Sequence, residues 1–248
     1  MPKPSPGLSG LLNASHLAVV SGHGAPSGGL FDLSRGEFHG TAFLLAPSLF
    51  VTAWHVYRDA AGSGDHVALG RVMTRVQQAQ LVVDADEFPQ IDIAILKCPG
   101  LEASRLPFDF TPLEYLSEVG AMGFPFGLTL TPGGPHVQVL RAFKGHVVTR
   151  RGLTEYGPVV PPGYETSFVP PPGLSGAPLL SLGSKLAIKG VVLKEYVAEL
   201  AHAPERKMML GLALDIEELL TLDSRLVGGS IAEKLFRRDR IPKRDGTP

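Results

Sequence analysis

The chain has 248 residues, 44% hydrophobic and 19% charged, which gives ample core for one large domain or two packed halves. Lys and Arg number 23 against 24 Asp and Glu, a net charge of −1, so no global field draws it to nucleic acid or to a membrane, and neither is expected as a partner. The single cysteine, Cys98, excludes an intramolecular disulfide and with it a disulfide-stapled secreted scaffold.

Glycine (29) and proline (22) are abundant, and many turns between short apolar segments favour an all-β architecture. Residues 1–13 read as a flexible N-terminal arm. The first ten are proline-rich with little apolar content, so no secretory leader is visible. No apolar run reaches the roughly 18 residues of a membrane helix. A cytoplasmic setting is the simplest expectation.

His16–Val20 reads as a short strand, followed by a turn-rich stretch over 21–29. Phe38–Ala46 and Leu49–Ala53 read as strands joined by the Pro47-Ser48 turn into a hairpin. The second strand runs into Trp54-His55-Val56, with Tyr57-Arg58-Asp59 leaving as a helical turn or loop. Residues 65–69 and 72–81 supply further strand-like pieces. Asp84, Asp86 and Glu87 form an acidic stretch that reads as a solvated turn. In Ile91-Asp92-Ile93-Ala94-Ile95-Leu96 both faces are apolar, so Asp92 is expected to be at least partly buried. A buried carboxylate needs a partner, and an imidazolium is a natural one. Asp84 and Asp86 are alternative acids. Pro99–Thr111 reads as a linker, and Val119–Gly127 follows. Val137–Leu140 and Gly145–Thr149 read as strands. Residues 154–172 are proline-rich, with a short strand at 166–169. Ala187–Leu193 and Met208–Leu214 are strongly apolar strands. Asp215 is placed to N-cap a helix with Glu217 and Glu218 in its first turn. Residues 225–248 read as a basic, solvated tail.

Two stretches carry chemistry. Pro172-Gly173-Leu174-Ser175-Gly176-Ala177-Pro178 sets a serine between glycines, and the prolines stiffen the turn. Such a turn can expose a hydroxyl and aim amides at one point, as acyl transfer requires. It can equally be a surface turn before a strand. The second stretch is His55, at the end of an apolar strand.

Gly40-Thr41-Ala42-Phe43 leading to Val51-Thr52-Ala53-Trp54-His55-Val56 resembles the pattern around the catalytic histidine of trypsin-like (chymotrypsin-fold) serine peptidases. Asp92-Ile93-Ala94-Ile95-Leu96 resembles the acid strand of that family. Val119–Gly127, Gly145–Val148 and Thr166–Pro172 are similar to elements of its bacterial HtrA/Deg-type branch, here without a PDZ domain. The resemblance implies two packed six-stranded antiparallel β-barrels with a short C-terminal helix. The first, over 14–110, would carry His55 and Asp92, and the second, over 111–224, would carry Ser175. It implies a serine endopeptidase in which Ser175 attacks, His55 takes its proton and Asp92 orients the ring. The amides of Gly173 and Ser175 would form the oxyanion hole. No cofactor and no metal are implied. The partners are a protein or peptide substrate and an activating protein. Leu174 stands where secreted trypsins carry an acid that pairs with a freshly cut N-terminus, so no zymogen switch of that kind is expected. Ala177 replaces the second family glycine and must avoid positive φ. Trp54 is larger than the usual residue and either shapes the cleft or only packs. Val169 stands where trypsins place an acid. With Val192 and Leu193 it implies a pocket for a small or medium apolar side chain, while Glu195 near the mouth leaves a basic residue open. Two rivals remain. An α/β-hydrolase esterase needs an acid and then a histidine after the serine, where only His202 follows. A catalytically silent binding module of trypsin fold is not excluded by the sequence.

Overall fold

The structure, a computed structural model, describes residues 15–24, 28, 30–32, 36–70, 78–125, 140–151, 162–183, 185–200 and 202–236. The expected N-terminal arm, the strand pieces at 72–77 and 137–139, residues 126–127, residues 154–161 and the final twelve residues lie outside these.

The first half is one antiparallel sheet. Its strands are β1 (His16–Gly22), β2 (Leu30–Asp32), β3 (Gly36–Ala46), β4 (Leu49–Ala53), β5 (His66–Gly70), β6 (Gln78–Leu81), β7 (Asp84–Phe88) and β8 (Ile93–Lys97). They run in the order β2-β6-β5-β1-β3-β4-β8-β7. The expected closed six-stranded barrel is here a curled sheet of eight strands with β2 and β7 at its edges. β1, β4 and the second half of β3 are buried along their whole length, as their near-continuous apolar sequences require. The β3–β4 hairpin turns at Pro47-Ser48, with Ser48 in a left-handed conformation. The chain then enters helix α1 (Trp54–Ser63), a ten-residue helix rather than a single turn. Val56 and Ala60 form its buried stripe, while Arg58 and Asp59 face solvent and pair with each other.

The second half closes. Strands β9 (Glu118–Gly123), β10 (Arg141–Arg151), β11 (Gly163–Thr166), β12 (Pro178–Ser181), β13 (Ala187–Leu200) and β14 (Ala203–Asp215) form a six-stranded barrel in the order β10-β11-β14-β13-β12-β9, with β9 pairing back onto β10. β11 lies earlier than the strand expected at 166–169. β13 and β14 extend well beyond the apolar runs that announced them, through Lys194, Glu195 and Glu199, because cross-strand pairing to Lys207, Met208 and Met209 continues the ladder. Asp215 caps helix α2 (Ile216–Leu220) as expected, accepting the Glu217 amide at 3.1 Å.

Two apolar clusters hold this together. One fills the closed barrel with Val119, Val147, Tyr164, Leu174, Leu179 and Val192. The other spans the halves, from Phe43, Phe50, Ile93 and Ile95 through Leu106 and Phe110 to Ile188, Leu193 and Leu219. Leu106 and Phe110 show that the expected linker is packed rather than free. It pairs with β13 through Ile188, which donates to Pro107 O at 2.8 Å and accepts from Asp109 N at 3.1 Å. Lys189, almost fully buried, adds an ion pair to Asp109 and a bond to Thr111 O, both at 2.6 Å.

The acidic stretch and the expected tail correct each other. Asp84, Asp86 and Glu87 lie on the edge strand β7, not in a solvated turn. After α2 the chain forms the short pair β15 (Asp223–Ser224) and β16 (Gly229–Ser230), then helix α3 (Ile231–Leu235), and the turn between the two strands lies against β7. Residues 225–236, expected as part of a solvated tail, are folded, with Ile231 fully buried and Phe236 stacked edge-on against Phe108 and Phe110. Arg225 makes a two-pronged contact with Asp84, at 2.7 and 2.8 Å. Asp86, 8% exposed, accepts Ser224 Oγ at 2.6 Å and Leu226 N at 2.9 Å. Edge strands need covering, and this strap covers β7.

Ser224→Ala removes one donor from a buried carboxylate and is expected to cost about 1–3 kcal/mol. Chemical denaturation checks it, and an unchanged midpoint would show that the strap does not stabilise the fold.

Candidate active site

His55 is the second residue of α1 and Asp92 immediately precedes β8. Pairing of β4 with β8 sets Ala53 opposite Ile93, so the residues following one strand and preceding the other meet. Asp92 takes the left-handed conformation, φ 57° and ψ 44°, which Asp tolerates better than most residues. In that shape it serves the helix start three times. Its carbonyl accepts Trp54 N at 2.9 Å, Oδ1 accepts His55 N at 3.0 Å, and its carboxylate takes the His55 ring. Ala53, at the N-cap, offers no side-chain bond, so Asp92 satisfies helix amides that would otherwise lack partners. His55 Nδ1 lies 3.0 Å from Oδ1 and 2.9 Å from Oδ2 of Asp92. A carboxylate only accepts, so Nδ1 carries the proton and Nε2 is left as the basic nitrogen. Both side chains keep some solvent contact, at 29% and 20%. Asp84 and Asp86, the alternative acids, are engaged by the strap instead.

Trp54 Nε1 donates to Glu87 Oε2 at 2.8 Å, and Arg58 lies over the indole, 4.9 Å from its centroid. The tryptophan thus braces α1 against β7 beside the histidine.

The serine turn comes from the other half and docks on β3. Ser175 O accepts Thr41 N at 2.9 Å. Thr41 Oγ1 donates to Gly173 O at 2.8 Å. Gly176 N donates to Val192 O, and Val192 N donates to Ala177 O, both at 2.8 Å, so β13 holds the turn from behind. Gly173 and Gly176 take φ of 93° and 83°. At Gly176 the need for glycine is also spatial, since a Cβ there would lie 2.1 Å from Thr41 O and 2.3 Å from Thr52 Oγ1. Ala177 avoids positive φ, as its replacement of glycine requires. Gly40, buried on β3, ties the two stretches: a Cβ there would meet Val56 methyls at 2.7 Å and Ser175 O at 2.9 Å. Ser175 and the residue after His55 therefore flank one glycine. Among the described residues no hydrogen bond joins Ser175 Oγ to the His55 ring, and the Gly173 and Ser175 amides donate to no protein acceptor.

The residues expected to line a pocket separate. Val169 is half-buried and Glu195 is exposed. Val192 lies inside the closed barrel and Leu193 in the cluster spanning the halves, each 1% exposed, so both side chains are core. Thr41 and Thr52 were not singled out from the sequence. Their signal was there, because a hydroxyl in a strand as apolar as Leu49–Ala53 must find a buried partner. Among the described residues no group of three or more His, Cys, Asp or Glu side chains is arranged to hold a metal ion, and no helix is long and apolar enough to cross a membrane.

A family model for a trypsin-like peptidase domain matches residues 40–187, a span that contains His55, Asp92 and Ser175. The chain belongs to the trypsin-like peptidase family. This peptidase is a serine endopeptidase, and its substrates are proteins or peptides. Its fold is similar to the active form of the Rv3671c protease from M. tuberculosis, with a TM-score of 0.56 and 20% identity over 100% of this chain and 91% of that one. The inactive form of Rv3671c is similar at a TM-score of 0.52 and 22% identity, over 87% and 93%. The HtrA-type protease AlgW with a decapeptide gives 0.57 and 16%, over 84% of this peptidase and 62% of AlgW. A comparison with curated proteins finds no match.

Gly176→Ala is expected to lift the serine turn off β3, because neither Thr41 O nor the backbone around it can retreat by the ångström required. Hydrogen exchange over residues 172–178 checks this. Protection equal to wild type would show that the turn docks in some other way.

Proposed function

We propose that this peptidase cleaves protein substrates through an acyl-enzyme formed on Ser175, with His55 as base and Asp92 as its orienting acid. The observation that carries the reading is the His55–Asp92 contact, which holds the ring through Nδ1 and leaves Nε2 as the nitrogen open to accept a proton. Ser175 Oγ would attack the substrate carbonyl as Nε2 takes its proton. The ring would then return that proton to the leaving amine, and water would repeat the cycle to free the acid. The carbonyl oxygen would turn anionic beside the Gly173 and Ser175 amides, which donate to no acceptor among the described residues. Each such donor contributes about 3 kcal/mol in comparable sites. The missing Ser175–His55 bond fits a site that tightens only on substrate, a common feature of apo enzymes.

Control would act on the serine turn, through its ordering or through a partner, and cleavage would be limited rather than degradative. Leu174 argues against a zymogen switch of the trypsin kind. It is fully buried in the barrel core and packs against Gly123, so this turn has no acid with which to capture a new N-terminus.

A fluorophosphonate probe, read by intact mass, tests the reading. Wild type should take one label and Ser175→Ala none. Labelling of neither would overturn the reading for the chain alone, and leave a binding module of peptidase fold or an enzyme that needs its partner before the oxyanion hole forms.

Asp92→Asn is the sharper variant. Asn tolerates the left-handed conformation and keeps an oxygen for the His55 amide, so the fold should persist. Its amide cannot hold the ring in the same tautomer, and kcat should fall by roughly three to four orders of magnitude. Near-wild-type turnover would remove Asp92 from the mechanism.

A further inference from the structure

We propose that Thr41 is a positioning residue for this reaction, its hydroxyl holding the serine turn in the shape that aims the Gly173 and Ser175 amides at one point. This inference rests on the serine-peptidase reading above. Thr41 is fully buried on β3, in the first half. Its Oγ1 has one proton, which goes to Gly173 O at 2.8 Å, and the same oxygen accepts Phe124 N at 3.1 Å. Its amide donates to Ser175 O at 2.9 Å, and its own carbonyl accepts Thr52 Oγ1 at 2.8 Å. A single residue of one half thus pins the carbonyls of both residues whose amides would stabilise the oxyanion.

The hydroxyl matters because of what it holds. Gly173, at φ 93°, has more rotational freedom than any other residue type would have there. A rotation that swings its carbonyl away also turns the peptide planes on either side, and the amides with them. Thr41 Oγ1 is the side-chain donor that opposes this rotation. The oxygen is itself boxed in. At Gly123, the last residue of β9, a Cβ would come within 2.5 Å of Thr41 Oγ1 and 2.8 Å of Leu174 Cδ1. Phe124 N then fixes the hydroxyl by occupying a lone pair, which leaves its proton for Gly173. The chain from Phe124 N through Thr41 Oγ1 to Gly173 O links three elements, and such chains strengthen each member.

Three substitutions separate hydroxyl from methyl. Thr41→Ser keeps the hydroxyl, Thr41→Val keeps the shape, and Thr41→Ala keeps neither. kcat and the fluorophosphonate labelling rate should stay within about threefold of wild type for T41S and fall by about ten- to a hundredfold for T41V and T41A, with KM little changed. The pH midpoint of kcat/KM should not move, because the hydrogen bonds of Thr41 go to Gly173, Ser175, Phe124 and Thr52 and none goes to His55 or Asp92. A merely structural role would follow packing instead, with T41V nearest wild type. T41V at wild-type rate, or T41S falling with it, overturns the proposal while wild-type labelling leaves the peptidase reading standing. A wild type that does not label overturns both.

Discussion

Thr41 N donating to Ser175 O, with Gly176 lying flat against Thr41 O, presses a turn of one half onto the strand of the other that leads toward His55. The placement of the serine turn follows from this main-chain seam. Backbone groups buried between two halves must be bonded, and here Thr41 N and Ser175 O bond across the division. The seam admits no side chain at 176, fixes the height at which Ser175 emerges, and sets that height against Gly40 and Val56. The turn is also gripped from behind by Val192, so its position is the joint product of β3 and β13. A serine turn seated this way keeps its place only while both halves are folded and in contact.

The histidine side is built by a different economy. Asp92 spends its carbonyl and one carboxylate oxygen on the first amides of α1, and the same carboxylate on the ring carried by that helix. Helix entry and ring orientation therefore share one residue, and a negative charge at a helix N-terminus is favoured in its own right. The left-handed backbone at 92 allows it, since carbonyl and carboxylate must face the same helix end. Nothing else at this helix start could substitute, because Ala53 has no side-chain acceptor. Trp54 adds a brace from β7 through Glu87, so the edge strand that the C-terminal strap covers also steadies the helix that bears His55.

Those features differ in how well the chain announces them. The β3–β4 hairpin and the α2 cap were legible because their signals are local: a Pro-Ser turn between apolar runs, and an Asp before an apolar-acidic run. The contact of His55 with Asp92 was legible only through the patterns around each, since 37 residues separate them. The acidic stretch on β7 was misread because its partners, Ser224, Arg225 and Leu226, lie about 140 residues away in the chain, and carboxylates without a visible partner read as solvated. The same distance hid the fold of residues 225–236. β13 and β14 were cut short because Lys194, Glu195 and Glu199 break the apolar run, although cross-strand pairing carries the ladder past them. Val192 and Leu193 were assigned to a pocket wall because both are apolar beside the turn. Successive side chains of a strand face opposite sides, so Val192 enters the barrel core and Leu193 the cluster that spans the halves.

The strap gives this peptidase an unusual order of completion during synthesis. Ribosomes release the first half early, with all eight strands of its sheet present by residue 97. Its β7 edge nevertheless stays bare, and Asp86 stays without its hydroxyl and amide donors, until residues 223–236 emerge after the entire second half. A nascent chain halted anywhere before that point carries an open sheet edge and an underbonded buried acid, the kind of surface that invites a chaperone or a neighbouring chain. A segment made after the whole second half is therefore the one that finishes the sheet made before it, and the seam bearing Ser175 is laid down in between.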